Sequence, residues 1–409
     1  MENHKVFEIA LGEISPWFID KIELVTSESG EEELHIELDF PRGSVFRDEE
    51  GELCKAWDTH YHTWQHLNFF QYRCFVHAWV PRIKDSKGRI KKIKVPWAEQ
   101  NQGFTLKLEE HIMTLIRYEM NISAVAKMVK VYPQRIWHVF NRLVKQAVDT
   151  TPLEWIESIG IDETSKRKGH DYITVGVNLD TGKVFKVVEG KDANAVAQLA
   201  NHLIEKGCHP LDVKEVCIDM SPAFISGVST SFQAAQTSFD RFHVVKEVNK
   251  AMDTLRKQER AECALLKGHK YTFLKNADKL SEKKNQELQE LLQLYPKIGE
   301  GYRLKTLFKE AWSFTEPAQA AAFMEDWCKQ AQNSGIFPFQ AVVKTIKAHW
   351  SGIIRAIQTQ ITNGIMEGIN SKIQLAKKRA RGYRNLNNFI NMIYFLCGDL
   401  KFPYPQVFT

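Results

Sequence analysis

Three acidic residues stand where their carboxylates could meet in a folded chain. Asp162 and Asp219 each close a short apolar run, Ile-Gly-Ile and Val-Cys-Ile, and Glu367 lies near the start of a helix-like stretch. Carboxylates from two strand ends and one helix can hold hard divalent cations, which prefer oxygen ligands. Two such ions can activate the attacking oxygen and stabilise the leaving oxygen when phosphodiester bonds are cut and joined. The sequence therefore predicts a site for two magnesium or manganese ions, with Asp162, Asp219 and Glu367 as metal ligands and catalytic residues.

The elements around the two aspartates follow the order of a ribonuclease-H-like fold. Apolar runs and helical periodicity predict, in order, strands at 156–162, 172–177 and 184–188, a helix at 193–205, a strand at 213–219, a second helix, a short strand near Phe239 and a helix from His243. Asp180-Thr-Gly182 is a strong hairpin signal between the second and third strands. In a sheet of that order the first and fourth strands are neighbours, so Asp162 and Asp219 would lie side by side at strand ends.

Other polar residues are predicted to surround the metal ligands. Asp240 closes the short fifth strand, and His243 could contact the cation or a phosphate. Asn370, three positions after the catalytic glutamate, joins the same group. Glu163 would point to the opposite side of its strand from Asp162, so we assign it a structural role.

A basic segment follows Glu367. At 100° per residue, the apolar residues of this stretch fall on one stripe, which we expect to pack on an edge of the sheet, while Glu367 falls on the polar face. Between Ser371 and Arg384 there is no acidic residue, and the basic residues are Lys372, Lys377, Lys378, Arg379, Arg381 and Arg384. Such a block is often a solvated helix face, but its position directly after Glu367 favours contact with a phosphate backbone.

A helix-turn-helix pattern occupies residues 105–147. Asn121 can cap a short helix at 122–128, and Pro133 suits the first turn of a longer helix that runs to about residue 148. The longer helix would display donors suited to base edges and phosphates, namely Gln134, Arg135, His138, Arg142 and Lys145. Ordinary three-helix packing gives the same pattern, so the alternative is a helical domain with no DNA contact.

The first hundred residues are mainly β in pattern and rich in aromatic residues and histidine. Structural zinc sites usually have paired ligands such as Cys-x-x-Cys. Here the candidate ligands are Cys54, which stands alone, and Cys74 with His77. Zinc is therefore the weaker interpretation, and a packed aromatic domain without metal is the alternative. The seven dispersed cysteines of the chain also argue against a disulfide framework.

Length and composition bound the rest. A chain of 409 residues is too long for one ordinary core, and its 44% hydrophobic and 26% charged residues fit a globular protein. The net charge of +5 is only mildly basic. No apolar run reaches the roughly 18 residues that a membrane-spanning helix needs, and the brief apolar patch near the N-terminus does not fit a secretory signal. We therefore expect a cytoplasmic protein.

Five segments together resemble one family. They are Ile161-Asp-Glu-Thr-Ser-Lys-Arg-Lys-Gly-His-Asp-Tyr172, Asp219-Met-Ser-Pro-Ala-Phe224, Phe239-Asp-Arg-Phe-His-Val-Val-Lys246, Thr362-Asn-Gly-Ile-Met-Glu-Gly-Ile-Asn370 and Lys377-Lys-Arg-Ala-Arg-Gly-Tyr-Arg-Asn385. In this order they resemble the DDE transposases of bacterial insertion sequences, of the IS L-three type. The resemblance implies the triad Asp162, Asp219 and Glu367, and cleavage at terminal inverted repeats followed by strand transfer. Its other implications are double-stranded DNA as partner, at least a dimer in the DNA complex, and a location near the nucleoid.

The family commonly carries paired cysteines in a zinc-ribbon-like N-terminal unit, and this chain lacks them. Around Cys54 it has Phe-Arg-Asp-Glu-Glu-Gly-Glu-Leu instead, and Lys-Asp-Ser-Lys leads to Gly88 further on. This departure from the family puts bound zinc in doubt, since such a unit can keep its fold without the metal.

The predicted fold class is a multidomain α/β (α+β) chain with a ribonuclease-H-like core that a helical insertion interrupts. The predicted parts are a β-rich, zinc-ribbon-like region at 1–100, a helix-turn-helix domain at 101–150, the first part of the core at 151–245, the insertion at 246–345 and the last part of the core at 346–409. Two other functions stay open: a domesticated DNA-binding protein that no longer cuts, and a ribonuclease-H-like nuclease without strand transfer.

Overall fold

The computed structural model describes residues 5–12, 14–48, 50–85, 87–153, 155–165, 172–262, 264–275, 277–360 and 363–402. The chain divides into two compact units, one made of the residues up to Asp149 together with Phe402, and the other of Thr150–Lys401. Part of the segment from Ile161 to Tyr172 that carries the family resemblance, residues 166–171, lies outside the described residues. None of the described helices is long and apolar enough to cross a membrane.

The first unit is built on a six-stranded sheet. Its elements before residue 100 are α1 (Lys5–Leu11), β1 (Phe18–Thr26), β2 (Glu32–Asp39), β3 (Val45–Arg47), β4 (Leu53–Phe69), β5 (Tyr72–Lys84) and β6 (Ile90–Lys92). The strand order is β1-β2-β5-β4-β3, with β6 paired to β5. Trp17 and Trp64 each pack edge-on against Trp97, with ring centroids 5.1 and 5.6 Å apart. The prediction of a β-rich aromatic domain is confirmed.

Strand pairing separates the candidate zinc ligands Cys54, Cys74 and His77. Cys54 pairs with Phe46 near one end of β4, whereas Cys74 pairs with His66 near the other end. Cys74 is buried among apolar side chains, and burial raises its thiol pKa to about 12. Both ring nitrogens of His77 have protein partners, at 2.8 Å from His35 Nδ1 and 2.9 Å from Thr63 Oγ1. In the part of the chain that the structure describes, no three His, Cys, Asp or Glu side chains form a ready metal site.

Three helices complete the first unit, namely α2 (Leu106–Arg117), α3 (Ile122–Met128) and α4 (Pro133–Thr150). The Asn121 side chain accepts a hydrogen bond from the backbone N–H of Ala124 and so caps α3, as predicted, and α4 begins at Pro133, where no backbone N–H is needed. Gln65 of the sheet donates to the carbonyl of Val129 at the end of α3. The short helix, tight turn and longer helix predicted from the sequence are confirmed.

The second unit contains a five-stranded mixed sheet. Its strands are β7 (Ser158–Ser165), β8 (Tyr172–Asn178), β9 (Lys183–Glu189), β10 (Glu215–Ile218) and β11 (Gln236–Phe239), and the helices between them are α5 (Ala193–Glu205) and α6 (Pro222–Ser231). The order is β11-β10-β7-β8-β9. Strand β8 is antiparallel to both β7 and β9, whereas β10 and β11 run parallel to β7. Gly182 closes the predicted hairpin with a φ of +71°, a value that favours glycine.

Every described element from α7 to α13 is helical, as the periodicity predicts. These helices are α7 (Arg241–Glu262), α8 (Lys270–Leu274), α9 (Glu282–Leu294), α10 (Pro296–Glu310), α11 (Pro317–Asn333), α12 (Phe337–Ala348) and α13 (Trp350–Thr359). Their buried residues belong to one core with those of the sheet, since Ile161 of β7 and Trp327 of α11 lie in the same apolar cluster. Two further helices, α14 (Asn363–Arg379) and α15 (Leu386–Cys397), follow. The helical insertion is therefore packed into the unit's core.

Candidate active site

Three neighbouring parallel strands each bring an aspartate to the same end of the sheet. The register pairs Cys217 with Gly160 and Ile218 with Phe239. If this register is extended by one or two residues, Asp219 lies opposite Asp162 on one side and Asp240 on the other. Asp219 follows β10, which is the central strand of the three. The parallel strands thus bring together, at one end of the sheet, carboxylates that are far apart in the sequence.

The prediction that Asp162 ends its strand is wrong. β7 continues to Ser165, because its antiparallel partner β8 pairs with it from Ile159 to Ser165, including Asp162 with Val175. The parallel neighbour β10 ends earlier, at Ile218. At Asp162, β7 is therefore paired with β8 on one side only. On its other side β10 has ended, and Asp219 is the first residue after β10.

The carboxyl group of Asp162 is half-buried and closely held. Its Oδ2 accepts a hydrogen bond from Asn370 Nδ2, and its Oδ1 accepts one, 2.8 Å long, from the backbone N–H of Glu163. Burial raises the pKa of Asp162, and the hydrogen bonds and nearby His243 oppose that rise. Glu163 also has a raised pKa, first from burial, with Asp219 and Asp162 as further causes. Several acids thus share a small region, an arrangement that a cation would stabilise.

Helix α14 lies along the central strand β7, where it makes a series of polar contacts. Besides Asn370 on Asp162, Gln374 Nε2 donates to Thr164 Oγ1 at 2.9 Å, and Lys377 Nζ donates to the backbone carbonyl of Ser165. Positions 370, 374 and 377 recur at helical spacing, and alternate residues of a strand face one side. We call these three contacts the polar seam. The predicted packing of this helix on an edge of the sheet is therefore wrong, since β7 is its middle strand.

Glu367 is exposed, and Asn370 follows it by one turn of α14. Residues three apart on a helix are neighbours on its surface, so Glu367 stands beside the residue that holds Asp162. Met366, Ile369 and Ile373 are buried. The predicted division of this helix into an apolar stripe and a polar face that carries Glu367 is confirmed.

Most of the basic segment is exposed. The exposed members are Lys372, Lys378, Arg379, Arg381 and Arg384. Lys377 differs, because it is half-buried, belongs to the polar seam and has a pKa lowered by burial. Their contact with DNA stays a prediction.

Four of the five predicted DNA-contacting residues of α4 are exposed, namely Gln134, Arg135, His138 and Lys145. Arg135 and Arg142 have partners within the first unit. Arg135 donates to the carbonyl of Gly103 at 3.3 Å, and its guanidinium lies 4.1 Å from the centroid of the Phe104 ring. Arg142 forms an ion pair with Glu109 of α2, which is completely buried.

Gly160 sets how closely α14 approaches β7, a role that was not predicted from the sequence. A Cβ atom at Gly160 would stand 2.6 Å from Met366 Sδ and 3.0 Å from Leu179 Cδ2. A glycine inside an otherwise β-branched strand often marks a close approach, and that signal was present in Ile-Gly-Ile.

Replacing Gly160 with valine is expected to lower the DNA cleavage that the sequence predicts by about 10- to 100-fold while the protein stays folded, because overpacking costs roughly 1–3 kcal/mol and displaces the helix that carries Glu367. The measurement is the cleavage rate together with the circular dichroism spectrum. The double variant Gly160→Val/Met366→Ala should recover most of the lost activity, since it removes the atoms in the way. A double variant no better than Gly160→Val would contradict this account of the contact.

Comparisons with known proteins agree with this architecture. A DDE-type family model described as a transposase, of the ISL3 kind, matches residues 159–393, a range that contains Asp162, Asp219 and Glu367. A second model, for the helix-turn-helix domain of transposase family ISL3, matches residues 93–144.

Two curated relatives span most of the chain. The transposase for insertion sequence element IS1001 of Bordetella parapertussis is 28% identical over 338 residues, which cover 79% of this chain and 81% of the relative. The transposase for insertion sequence element IS1557 of Mycobacterium tuberculosis is 23% identical over 422 residues, which cover 94% of this chain and 93% of the relative. A chain in a solved intasome of simian T-cell lymphotropic virus with a PP2A regulatory subunit is 13% identical to this one. The match covers 40% of this chain and 68% of the chain in the intasome, and its TM-score of 0.17 is too low to bear on the fold.

Proposed function

Since the chain belongs to transposase family ISL3 and is a transposase of an insertion sequence, we propose that it cuts DNA at the terminal inverted repeats of its element and joins the freed ends to target DNA. We propose Asp162, Asp219 and Glu367 as the residues that carry this chemistry. The observation that supports the proposal best is that neighbouring parallel strands bring Asp162, within β7, beside Asp219, just after the end of β10. The helix that carries Glu367 contacts Asp162 through Asn370.

We assign the second unit to the ribonuclease-H-like fold. Three antiparallel strands, β7 to β9, are followed by two strands that add in parallel on the other side of β7, with helices between them. This is the order that the sequence predicts for such a fold. The helical insertion between β11 and α14 accounts for the long stretch of sequence before Glu367.

The donor set fits magnesium or manganese. Asp162, Asp219 and Glu367 offer only oxygen ligands, which such ions prefer. Burial raises the pKa of Asp162, and a bound cation would offset this cost of keeping the carboxylate ionised. Two bound ions would supply activation of the attacking oxygen and stabilisation of the leaving oxygen. Glu367 lies one turn before Asn370, which contacts Asp162, and we propose that it completes the set of ligands.

The protein's own part is to hold and orient. Asn370 and the backbone N–H of Glu163 fix the two oxygens of Asp162, and the remaining contacts of the polar seam hold α14 against β7. A carboxylate held in one orientation loses less entropy when it binds an ion than a mobile one does.

We propose that the helix-turn-helix binds double-stranded DNA at the element ends through Gln134, His138 and Lys145, and that the exposed basic segment contacts phosphates. Pairing two ends requires at least two copies of the chain, so we infer a homodimer or larger assembly on DNA. Because the substrate is the element's DNA, we place the protein in the bacterial cytoplasm with the nucleoid.

The function is tested by incubating the purified chain with magnesium and DNA that carries the element's ends, then separating the products. We expect strand cleavage and joined products. Binding without metal-dependent cleavage would favour the domesticated DNA-binding protein, and cleavage without joined products would favour the nuclease.

The basic segment is tested by salt dependence. Lys372→Gln/Lys378→Gln should lower the slope of log K against log salt by about 1.8, because each phosphate contact on duplex DNA contributes about 0.9. The matched control is Lys377→Gln, whose lysine donates to Ser165 and should leave the slope nearly unchanged. An unchanged slope in the double variant would contradict the phosphate contacts.

A further inference from the structure

Asp240 is the third aspartate at this end of the sheet, and both of its carboxylate oxygens are already engaged. Oδ1 accepts a hydrogen bond of 2.8 Å from the backbone N–H of Phe242, and Oδ2 lies 2.9 Å from His243 Nδ1. The backbone carbonyl of Asp240 also accepts hydrogen bonds from the N–H groups of His243 and Val244. Asp240 thus starts helix α7 and holds an imidazole.

His243 is held with one nitrogen on Asp240 and is within electrostatic reach of the other two aspartates. The hydrogen bond with Asp240 raises the pKa of His243 most, burial opposes the rise, and the charges of Asp162 and Asp219 add to it. With Nδ1 donating to Asp240, the second ring nitrogen, Nε2, is the one that can serve a substrate. The side chain is 25% exposed, so it is open to a ligand.

A bound ion stabilises negative charge on a leaving oxygen, but the oxygen still becomes a hydroxyl in the product. None of Asp162, Asp219 and Glu367 can donate a proton while it serves as an ionised metal ligand. A separate donor near the same point would complete the reaction, and general acid catalysis typically contributes about 10²–10⁴-fold.

We propose that His243 is a further catalytic residue, which donates its Nε2 proton to the oxygen that leaves phosphorus when the strand is cut, and that Asp240 is a positioning residue that orients His243. This inference rests on the proposed function. As the oxygen of the attacking water bonds to phosphorus, the bond from phosphorus to the leaving oxygen breaks. Its electron pair stays on that oxygen, which takes the proton from His243. The attacking water releases a proton to solvent, and His243 regains one from solvent.

The experiment compares two DNA substrates, one ordinary and one with sulfur in place of the leaving bridging oxygen at the scissile phosphate. A thiolate leaves readily without a proton, so the sulfur substrate does not need a general acid. His243→Ala should lower the cleavage of ordinary DNA about 10²–10³-fold but lower the cleavage of the sulfur substrate less than about 3-fold, each relative to the unsubstituted protein on the same substrate. Asp240→Asn should show a smaller loss, about 10-fold, with the same rescue by sulfur.

Equal losses on both substrates would overturn the proposal, because a merely structural role for His243 does not depend on the leaving atom. No loss on ordinary DNA would overturn it as well. His243→Gln, which keeps a polar side chain at the start of α7, replaces the alanine variant if that variant fails to fold. Asp162→Asn is the control, and it should lose cleavage of both substrates. If the unsubstituted protein cuts neither substrate, the proposed function itself fails, which is a result distinct from an unrescued His243 variant.

Discussion

Asp162→Asn and Asp219→Asn are each expected to lower the rate of DNA cleavage at least about 1,000-fold, while the protein stays folded and still binds DNA. Asparagine keeps the size of the side chain but removes the charge that would hold a cation, and losing that stabilisation of the transition state costs several kcal/mol. The measurement is single-turnover cleavage of inverted-repeat DNA in magnesium, with DNA affinity determined separately by fluorescence anisotropy.

Glu163 provides the matched control, because it is the next residue on β7 and faces the other side. It forms an ion pair with Lys191 at 4.0 Å, whereas Asp162 accepts a hydrogen bond from Asn370 of α14. Glu163→Gln should therefore lower the rate of DNA cleavage less than about 10-fold, because it changes only the electrostatics of the region. Full activity of both aspartate variants, or a loss in Glu163→Gln as large as theirs, would contradict the assignment.

Much of this site can be predicted from the sequence, because its strongest signals are local. The bounds of α5, the hairpin at Gly182 and the cap at Asn121 depend on residues within a few positions of one another, and all are confirmed. The strand positions of Asp162 and Asp219 follow from apolar runs, and the register of β10 with β7 then brings the two residues together.

What could not be predicted depends on contacts between distant segments. β7 continues past Asp162 only because β8 pairs with it, and α14 rests over the middle of the sheet because Met366 fits against Gly160. The candidate zinc ligands are separated by a strand register that their spacing in sequence does not reveal. The same holds for Arg142, whose type suits DNA but whose partner, Glu109, is 33 positions away.

Arg142→Ala is expected to destabilise the protein by about 3–5 kcal/mol, because it removes the cation that is paired with the buried carboxylate of Glu109. Glu109 is completely buried, and Arg142 joins α4 to α2 across the three-helix domain. The measurement is urea denaturation of the full chain. Lys145→Ala, an exposed residue one turn further along α4, is the control and should change the free energy of unfolding by less than about 0.5 kcal/mol.

A double variant separates an internal role of Arg142 from DNA recognition. Glu109→Leu/Arg142→Met replaces the ion pair with apolar side chains, a change that is often neutral or stabilising, and should recover stability to within about 1 kcal/mol of the unsubstituted protein. If Arg142 serves only the fold, this variant binds inverted-repeat DNA with unchanged affinity and specificity. If the double variant is stable but has lost about 1–3 kcal/mol of discrimination between cognate and scrambled DNA, Arg142 contacts a base. The helix-turn-helix would then open its own buried ion pair to recognise the element's ends.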